Sequence, residues 1–105
     1  MASLQTSNVT TVAANAYVST GNTVVTFLSL CNYSSSNVTA NVFVVPSGDA
    51  VGNINKVVSN ILITTGDTYQ FYAGNEKLIL SSSDTIRANA SSNNSIAIVT
   101  SYTSA

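Results

Sequence analysis

Short apolar runs, separated at regular intervals by turn-forming residues, constrain the fold of this chain more than any other feature. Clusters of Gly, Pro, Asn, Asp and Ser recur about every eight to twelve residues, and β-branched or aromatic residues fill the stretches between them. No segment shows sustained helical periodicity. We predict an all-β protein, an antiparallel β-sandwich with an Ig-like or a jelly-roll-like Greek-key topology and about seven to eight strands.

The same turn clusters set the expected strand limits and the domain organisation. We expect strands near residues 9–13, 23–31, 38–46, 56–64, 68–72, 77–81, 84–91 and 95–102. The segment that starts at Ser47 contains two glycines, which favours an irregular crossover with at most one short helical turn. A chain of 105 residues supports one hydrophobic core. We therefore predict a short polar N-terminal arm over residues 1–7 and a single β-sandwich domain over residues 8–105.

Apolar residues fall on one face of some predicted strands and on both faces of others. Between Thr85 and Ala90, apolar and polar side chains alternate, which is typical of a strand with one face in water. In the runs TVVTFLSLC and NVFVV, both alternate sets are largely apolar. These strands are either central or covered on the second face by another subunit, so Phe27, Phe43 and Val45 belong to the core or to a subunit contact.

The chain carries few charged side chains for its length. It has three Lys or Arg, four Asp or Glu and no His, so that 7% of its residues are charged and the formal net charge is -1. Globular proteins average about 25% charged residues. Because net charge keeps free proteins dispersed, this composition favours a chain that works assembled with other copies. We expect no nucleic-acid partner, since phosphate binding needs several clustered cations.

The residue types needed for catalysis or metal binding are scarce. General acid–base catalysis most often uses His, which is absent, and turn positions explain the carboxylates more simply than a catalytic pair does. We expect Asp67 and Asp84 each to close a turn by bonding a backbone N–H two residues on. Zinc and calcium need ligand sets that this sequence lacks. We predict a non-enzymatic protein without metal or cofactor; the alternative, a hydrolase that uses Asp49 or Asp84, would require measurable turnover.

The sequence shows no sign of membrane insertion or secretion. No apolar stretch approaches the ~20 residues of a membrane-spanning helix, and the N-terminal residues lack a basic segment followed by an apolar run. Cys31, the single cysteine, is expected to be a small buried hydrophobe. We therefore expect no membrane partner.

Several segments between residues 23 and 103 resemble a known family. They are Val-Pro-Ser-Gly at 45–48, Gly-Asp-Thr at 66–68, Lys-Leu followed by Asp-Thr-Ile within 77–86, and Ser-Tyr-Thr at 101–103. In this arrangement the chain resembles the small all-β structural proteins of tailed-bacteriophage virions, including those of cyanophages. The resemblance implies a capsid decoration (cement) protein or a piece of a tail, baseplate or fibre. It implies no catalytic or ligand-binding residue.

The function that we expect is stabilisation of a capsid lattice by a homo-oligomer that contacts itself and the major capsid protein. Its location would be the virion, after synthesis in the host cytoplasm. We expect the contacts at Met1, Ala2, Ser3, Leu4, Gln5, Asn53, Ile54, Val57, Val58, Val99 and Tyr102. The alternative is a receptor- or glycan-binding module of a tail, baseplate or fibre, in which Tyr33, Tyr69 or Tyr72 stacks on sugar rings.

Overall fold

The structure is a computed structural model that describes residues 2–71 and 78–104. Within these residues the chain forms nine strands and one short 3-10 helix: β1 Ala2–Val9, β2 Ala14–Val18, β3 Thr23–Asn32, β4 Val38–Val45, the 3-10 helix Asn53–Asn55, β5 Lys56–Ile63, β6 Thr68–Phe71, β7 Leu78–Leu80, β8 Thr85–Ala90 and β9 Ile96–Ser104. Every strand predicted from residue 23 onward is confirmed to within a few residues.

The strands form two antiparallel sheets that pack face to face, so the predicted all-β sandwich is confirmed. Sheet A has the strand order β1-β9-β3-β6, with β7 also paired to β3, and sheet B has the order β2-β8-β4-β5. β6 pairs with residues 28–31 of β3, and β7 pairs with residues 23–25 of the same strand. These two short strands therefore lie one after the other along one edge of sheet A.

The strand pairs are nested in the sequence, and the nesting identifies the topology. β4 pairs with β5, β3 with β6 and β7, β2 with β8, and β1 with β9. The chain is thus one long hairpin, rolled up so that β9 also pairs with β3 and β8 with β4. With β6 and β7 counted as one interrupted strand, this is the eight-stranded double Greek key of a jelly roll. Of the two topologies that the sequence left open, the protein has the jelly roll.

The N-terminal residues form an edge strand instead of the separate arm that we predicted over residues 1–7. β1 pairs with β9 along its whole length, from Ala2 opposite Thr103 to Val9 opposite Ile96. The strand predicted near residues 9–13 is also wrong, because residues 10–13 connect β1 to β2. An edge strand is held mainly by backbone hydrogen bonds to one neighbour, so a largely polar sequence can form it.

Side chains from the facing sides of the two sheets form one core. Its largest fully buried apolar side chains are Leu28, Leu30, Leu80, Ile86, Ile96 and Ile98. The alternation in β8 is confirmed, since Ile86, Ala88 and Ala90 are buried in this core. Burying one large apolar side chain stabilises the fold by roughly 1.5–3 kcal/mol. Both sheets contribute to this core, and their outer faces remain for contact with other molecules.

The connection between β4 and β5 packs on the outer face of sheet B. It spans residues 46–55 and ends in the 3-10 helix Asn53–Asn55, the short helical turn that the sequence allowed. Phe43 lies beneath this connection and is 6% exposed, and Val45 is 1% exposed. Neither belongs to the main core cluster. Phe43 and Val45 are therefore buried within one copy of the chain, apart from the sandwich core.

Candidate assembly surface

The predicted contact residues lie on two separate parts of the sandwich. Those in β1, at the free edge of sheet A, are Ala2, Ser3, Leu4 and Gln5. Leu4 is 68% exposed. Val99 lies on the outer face of the same sheet, opposite Thr6 of β1. Met1 is outside the described residues. The structure thus brings β1 and Val99 together.

The second group lies in and just before β5, at the other edge of the sandwich. Asn53 and Ile54 are in the 3-10 helix, and Ile54 is 95% exposed. Val57 is 45% exposed, but Val58 is 9% exposed and belongs to the core, so it is not available for the contact that we predicted. β1 lies beside β2, whereas β5 is at the opposite end of sheet B. The structure does not bring this group together with β1.

Tyr102 also faces the interior, which corrects its assignment as a contact residue. Its ring centroid is 4.4 Å from that of Tyr17, and the side chain packs against the core. Side chains alternate along a strand, so Ser101 and Thr103, which flank Tyr102, lie on the outer face. Tyr102 is partly buried and packs against the sandwich core, away from the outer face of sheet A.

Five of the larger apolar side chains that the structure describes lie on the outer face of sheet A. They form what we call the sheet A patch: Leu4, Val24, Phe27, Ile79 and Val99. Val24 lies directly opposite Ile79, and Ser101 lies between Leu4 and Phe27 in one row across three strands. Leu4 is 68% exposed and Ile79 is 71% exposed, while the other three side chains are half-buried. The patch is an apolar stripe across a solvent-facing sheet.

Sequence reasoning missed Val24 and Ile79 and left Phe27 between core and contact. A register shift between Val25 and Phe27 changes the side-chain parity along β3, and Phe27 ends on the outer face. The available signal was that both alternate sets of TVVTFLSLC are apolar. That pattern is expected when a strand has an apolar residue row on each face.

The described strands of the sheet that carries the patch have no charged side chains. None of the described strands of sheet A contains Lys, Arg, Asp or Glu. The described charged residues are instead in turns or on sheet B: Asp49, Lys56, Asp67, Asp84 and Arg87. A protein that covered this face would not have to remove an ion from water, a step that costs several kcal/mol. The outer face of sheet A is therefore suited to burial against another protein surface.

The free edge of β1 presents backbone hydrogen-bonding groups beside the patch. Tyr33 N donates to Ser95 O at 3.0 Å. Since backbone bonds alternate between the two neighbours of a strand, the odd-numbered residues of β9 bond to β3 and the even-numbered ones bond to β1. By alternation, the N–H and C=O groups of Leu4, Thr6 and Asn8 point away from β9. β1 also lacks Pro, charge and register shifts, the devices by which edge strands avoid pairing with other chains. β1 is thus suited to pair with a strand of a neighbouring molecule.

The two aspartates that precede Thr are engaged in turns. Asp84 accepts hydrogen bonds from Ser47 N at 2.8 Å and from Ser81 N at 2.9 Å, and Asp67 accepts one from the Thr64 hydroxyl. Both carboxylates therefore act at turns as we predicted, but their partners precede them in the sequence instead of following two residues on. Across the described residues, no group of three or more His, Cys, Asp or Glu side chains is placed to hold a metal ion.

The tyrosines considered for glycan stacking do not share one surface. Tyr33 is 54% exposed, and its hydroxyl donates to Asn8 Oδ1 at 2.7 Å. Tyr69 lies opposite Leu30 and packs, partly buried, against the core. Tyr72 is outside the described residues. Of the three, Tyr33 is the described ring that faces solvent.

The helical segments and the similarity to known proteins complete the description. None of the helical segments that the structure describes is long and apolar enough to cross a membrane. No family model matches the chain, and comparisons with curated proteins and with solved structures found no match. The function has to be inferred from the sheet A patch, the β1 edge and the distribution of charge.

Proposed function

We propose that the protein is a non-enzymatic structural component of a tailed-bacteriophage particle, a capsid decoration protein that stabilises the capsid lattice. The sheet A patch carries this proposal, because it exposes apolar side chains on a five-stranded sheet whose described strands contain no charge. Large exposed apolar side chains gathered on one face of a protein often mark an interaction site. The resemblance of residues 45–48, 66–68 and 101–103 to virion proteins supports the class of partner.

Covering the patch would stabilise an assembly by apolar burial. Fully burying a Leu or Ile side chain contributes roughly 1.5–3 kcal/mol, and Leu4 and Ile79 have 68% and 71% of their surface still exposed. A stable interface normally buries more than ~1,000 Å² in total. The five patch residues are too few for that area, so the neutral residues around them must also take part.

The β1 edge supplies the second part of the contact. A neighbouring strand added there would accept and donate hydrogen bonds at Leu4, Thr6 and Asn8, and each bond would contribute about 0.5–1.5 kcal/mol. Because Leu4 belongs to both the edge and the patch, strand addition would also continue the apolar stripe into the neighbour. Backbone bonds at the β1 edge would thus set the orientation of the neighbouring strand, and burial of Leu4 would add to its affinity.

Copies of this chain can approach one another at little electrostatic cost. The formal net charge is -1, so repulsion between copies is weak. A decoration protein is also repeated over many equivalent lattice positions. When several copies are linked in an oligomer, weak individual contacts add up to strong attachment through high effective concentration. These properties support a homo-oligomer that binds the major capsid protein.

The proposal is tested with two substitutions of equally exposed side chains. Ile79→Ser removes a patch residue, whereas Val12→Ser removes a side chain that is likewise 71% exposed but lies in the connection between β1 and β2. Analytical ultracentrifugation measures self-association, and co-sedimentation with particles that lack the protein measures attachment. We expect Ile79→Ser to weaken both by roughly tenfold or more. Val12→Ser should leave both unchanged.

Whole particles provide an independent test. Particles that lack the protein should lose infectivity on heating sooner than complete particles, and should keep it at low temperature. Quantitative mass spectrometry of the virion separates the locations: hundreds of copies indicate the capsid or the tail tube, and a few copies indicate the baseplate or a fibre. Wild-type protein that stays monomeric at high concentration and binds no phage particle would overturn the proposal.

The second candidate is a receptor- or glycan-binding module of a tail, baseplate or fibre. It is favoured by the exposed ring of Tyr33, whose orientation is fixed by the hydrogen bond to Asn8. Such a ring offers a flat apolar face for stacking with a polar group at its rim. Loss of glycan-array binding in Tyr33→Ala, with particle attachment retained, would support this function over lattice stabilisation.

A further inference from the structure

A cleft of about 310 Å³ opens on the outer face of sheet B, on the opposite side of the sandwich from the sheet A patch. The connection over residues 46–55 forms one wall of this sheet B cleft, and β4, β5, β8 and Ala13 form the rest. Its lining includes Asn41, Phe43, Val51, Lys56 and Asn89. The volume lies at the lower end of the range for small-molecule sites. The assembly function proposed above does not use this cleft.

Two cationic side chains flank the floor of the sheet B cleft. Lys56 of β5 and Arg87 of β8 both lie opposite Phe43 of β4, one on each side. Since neighbouring strands are about 4.8 Å apart, the two backbones are separated by roughly 10 Å. The Lys56 Nζ is 5.9 Å from the centroid of the Phe43 ring. One row across three strands thus places an aromatic ring between two positive charges.

These cations have no counter-ion in the described part of the protein. Arg87 Nε donates to Thr85 Oγ1 at 3.3 Å, and neither Arg87 nor Lys56 forms an ion pair with a described carboxylate. The carboxylate of Asp84 is bonded to two backbone N–H groups, and Asp49 does not line the cleft. Lys56 is the charged residue among the described lining of the sheet B cleft, and Arg87 lies beside that lining, so the cleft favours an anionic ligand.

Two asparagines add hydrogen-bond donors beside the cations. Asn41 Nδ2 donates to Asn89 Oδ1 at 2.9 Å, and Asn60 N donates to Asn41 Oδ1 at 2.8 Å. Each amide oxygen thus accepts one hydrogen bond from within the protein. The two N–H groups of Asn89 Nδ2 and the second N–H of Asn41 Nδ2 have no partner among the described residues. These donors can bond to hydroxyl, carbonyl or carboxylate oxygens of a ligand.

We propose that the sheet B cleft binds an acidic sugar residue of a polysaccharide, with its carboxylate at Lys56. Asn41 and Asn89 would bond to the sugar oxygens, and Phe43 and Val51 would contact its C–H groups. Arg87 would attract the carboxylate of the next acidic residue along the chain. A nucleic acid fits less well, because it needs a longer series of cations than these two. This site goes beyond the proposed assembly function and does not depend on it.

NMR titration of the full-length, isotopically labelled protein tests the proposal with three probes. They are a tetrasaccharide of alternating glucuronic acid and N-acetylglucosamine, a neutral tetrasaccharide of N-acetylglucosamine, and inorganic phosphate. We expect the acidic tetrasaccharide to shift the side-chain amides of Asn41 and Asn89 and the backbone amides of residues 51–56. At the same concentrations, the neutral tetrasaccharide and phosphate should shift these signals much less.

Substitutions of Lys56 separate a specific role from a general loss of structure. Lys56→Gln should weaken binding of the acidic tetrasaccharide by roughly fivefold or more, whereas Lys56→Arg keeps the charge and should bind within about twofold of wild type. Asn89→Ala should weaken binding about threefold. Asn22→Ala, which removes an exposed amide in the connection between β2 and β3, is the matched control and should have no effect.

Four outcomes would overturn the proposal. The first is the absence of shifts at about 10 mM acidic tetrasaccharide, since that corresponds to no useful affinity. The second is equal binding of the neutral tetrasaccharide, and the third is equal binding of phosphate, which would make the cleft an ion site only. The fourth is unchanged affinity in a folded Lys56→Gln variant, as judged by its thermal melting.

Discussion

The two sheets share one core, but their outer faces differ in chemistry. The described strands of sheet A carry no charged residue, and the outer face of that sheet leaves Leu4 and Ile79 largely exposed. Sheet B carries Lys56 and Arg87, and a long connection covers its outer aromatic residue, Phe43. Among the five charged residues that the structure describes, placement of charge therefore separates a face suited to protein contact from a face suited to a polar ligand.

Substitutions in the core should have the largest effect on stability, and they test whether the inner faces of the two sheets contribute equally to it. Leu28 of sheet A and Ile86 of sheet B are both 0% exposed. Leu28→Ala and Ile86→Ala should each lower the free energy of unfolding by about 2–5 kcal/mol, because each leaves a cavity in the same core. Urea unfolding of dilute protein measures both. A loss below about 1 kcal/mol for either variant would mean that the two sheets do not share the core equally.

The two outer phenylalanines sharpen the comparison directly. Phe43 is 6% exposed beneath the connection, whereas Phe27 is half-buried on the open face of sheet A. Phe43→Ala should cost about 2–4 kcal/mol of unfolding free energy in the monomer, and Phe27→Ala about 1 kcal/mol. In self-association the order should reverse, with Phe27→Ala the more damaging. Equal effects of the two substitutions on both measurements would remove the distinction between the faces.

A new charge on each sheet gives the next largest effect. Leu4→Lys places a cation on the β1 edge and in the sheet A patch, and Val57→Lys places one on a 45% exposed position of β5. Leu4→Lys should weaken self-association roughly tenfold, because edge lysines prevent strand pairing. Val57→Lys should leave it unchanged. Sedimentation velocity measures both, and a stronger effect of Val57→Lys would move the contact to sheet B.

The smallest expected effect is the difference in salt dependence between the two faces. Between 50 and 500 mM NaCl, about a threefold change in Debye length, self-association through sheet A should change by less than about twofold. Binding of the acidic tetrasaccharide to the sheet B cleft should weaken several-fold over the same range, since it depends on Lys56 and Arg87. Sedimentation and NMR titration in the same buffers provide the comparison. Parallel salt dependence would contradict a division of charge between the faces.

The sequence predicted the sandwich because turn residues and β-branched runs act locally. The limits of β3, β4, β8 and β9 followed from that spacing alone. β1 was missed, since an edge strand needs few apolar residues and its pairing with β9 joins opposite ends of the chain. The choice of a jelly roll over an Ig-like sandwich likewise depends on long-range pairing, which local spacing does not specify.

Side-chain direction was the least predictable property of the contact residues. Along β5, Val58 is buried, yet the next buried position is Ile63, at odd spacing from it. Asn60 adopts a positive φ of 51°, and the pairing of β4 with β5 shifts register in this region. One irregular residue inverts the faces of every residue that follows it. Val57 and Val58 could not be assigned to surface and core without this bulge.

The nested pairing of the strands also has a kinetic consequence. β4 and β5 follow one another in the sequence and can associate early, whereas β1 must pair with β9 from the opposite end of the chain, which loop-closure entropy makes slow. Until β1 has paired, the edge of β9 can form hydrogen bonds with the β1 segment of another copy. At high concentration, refolding should therefore yield domain-swapped dimers that have exchanged β1. Folding of the single chain would compete with this exchange between chains.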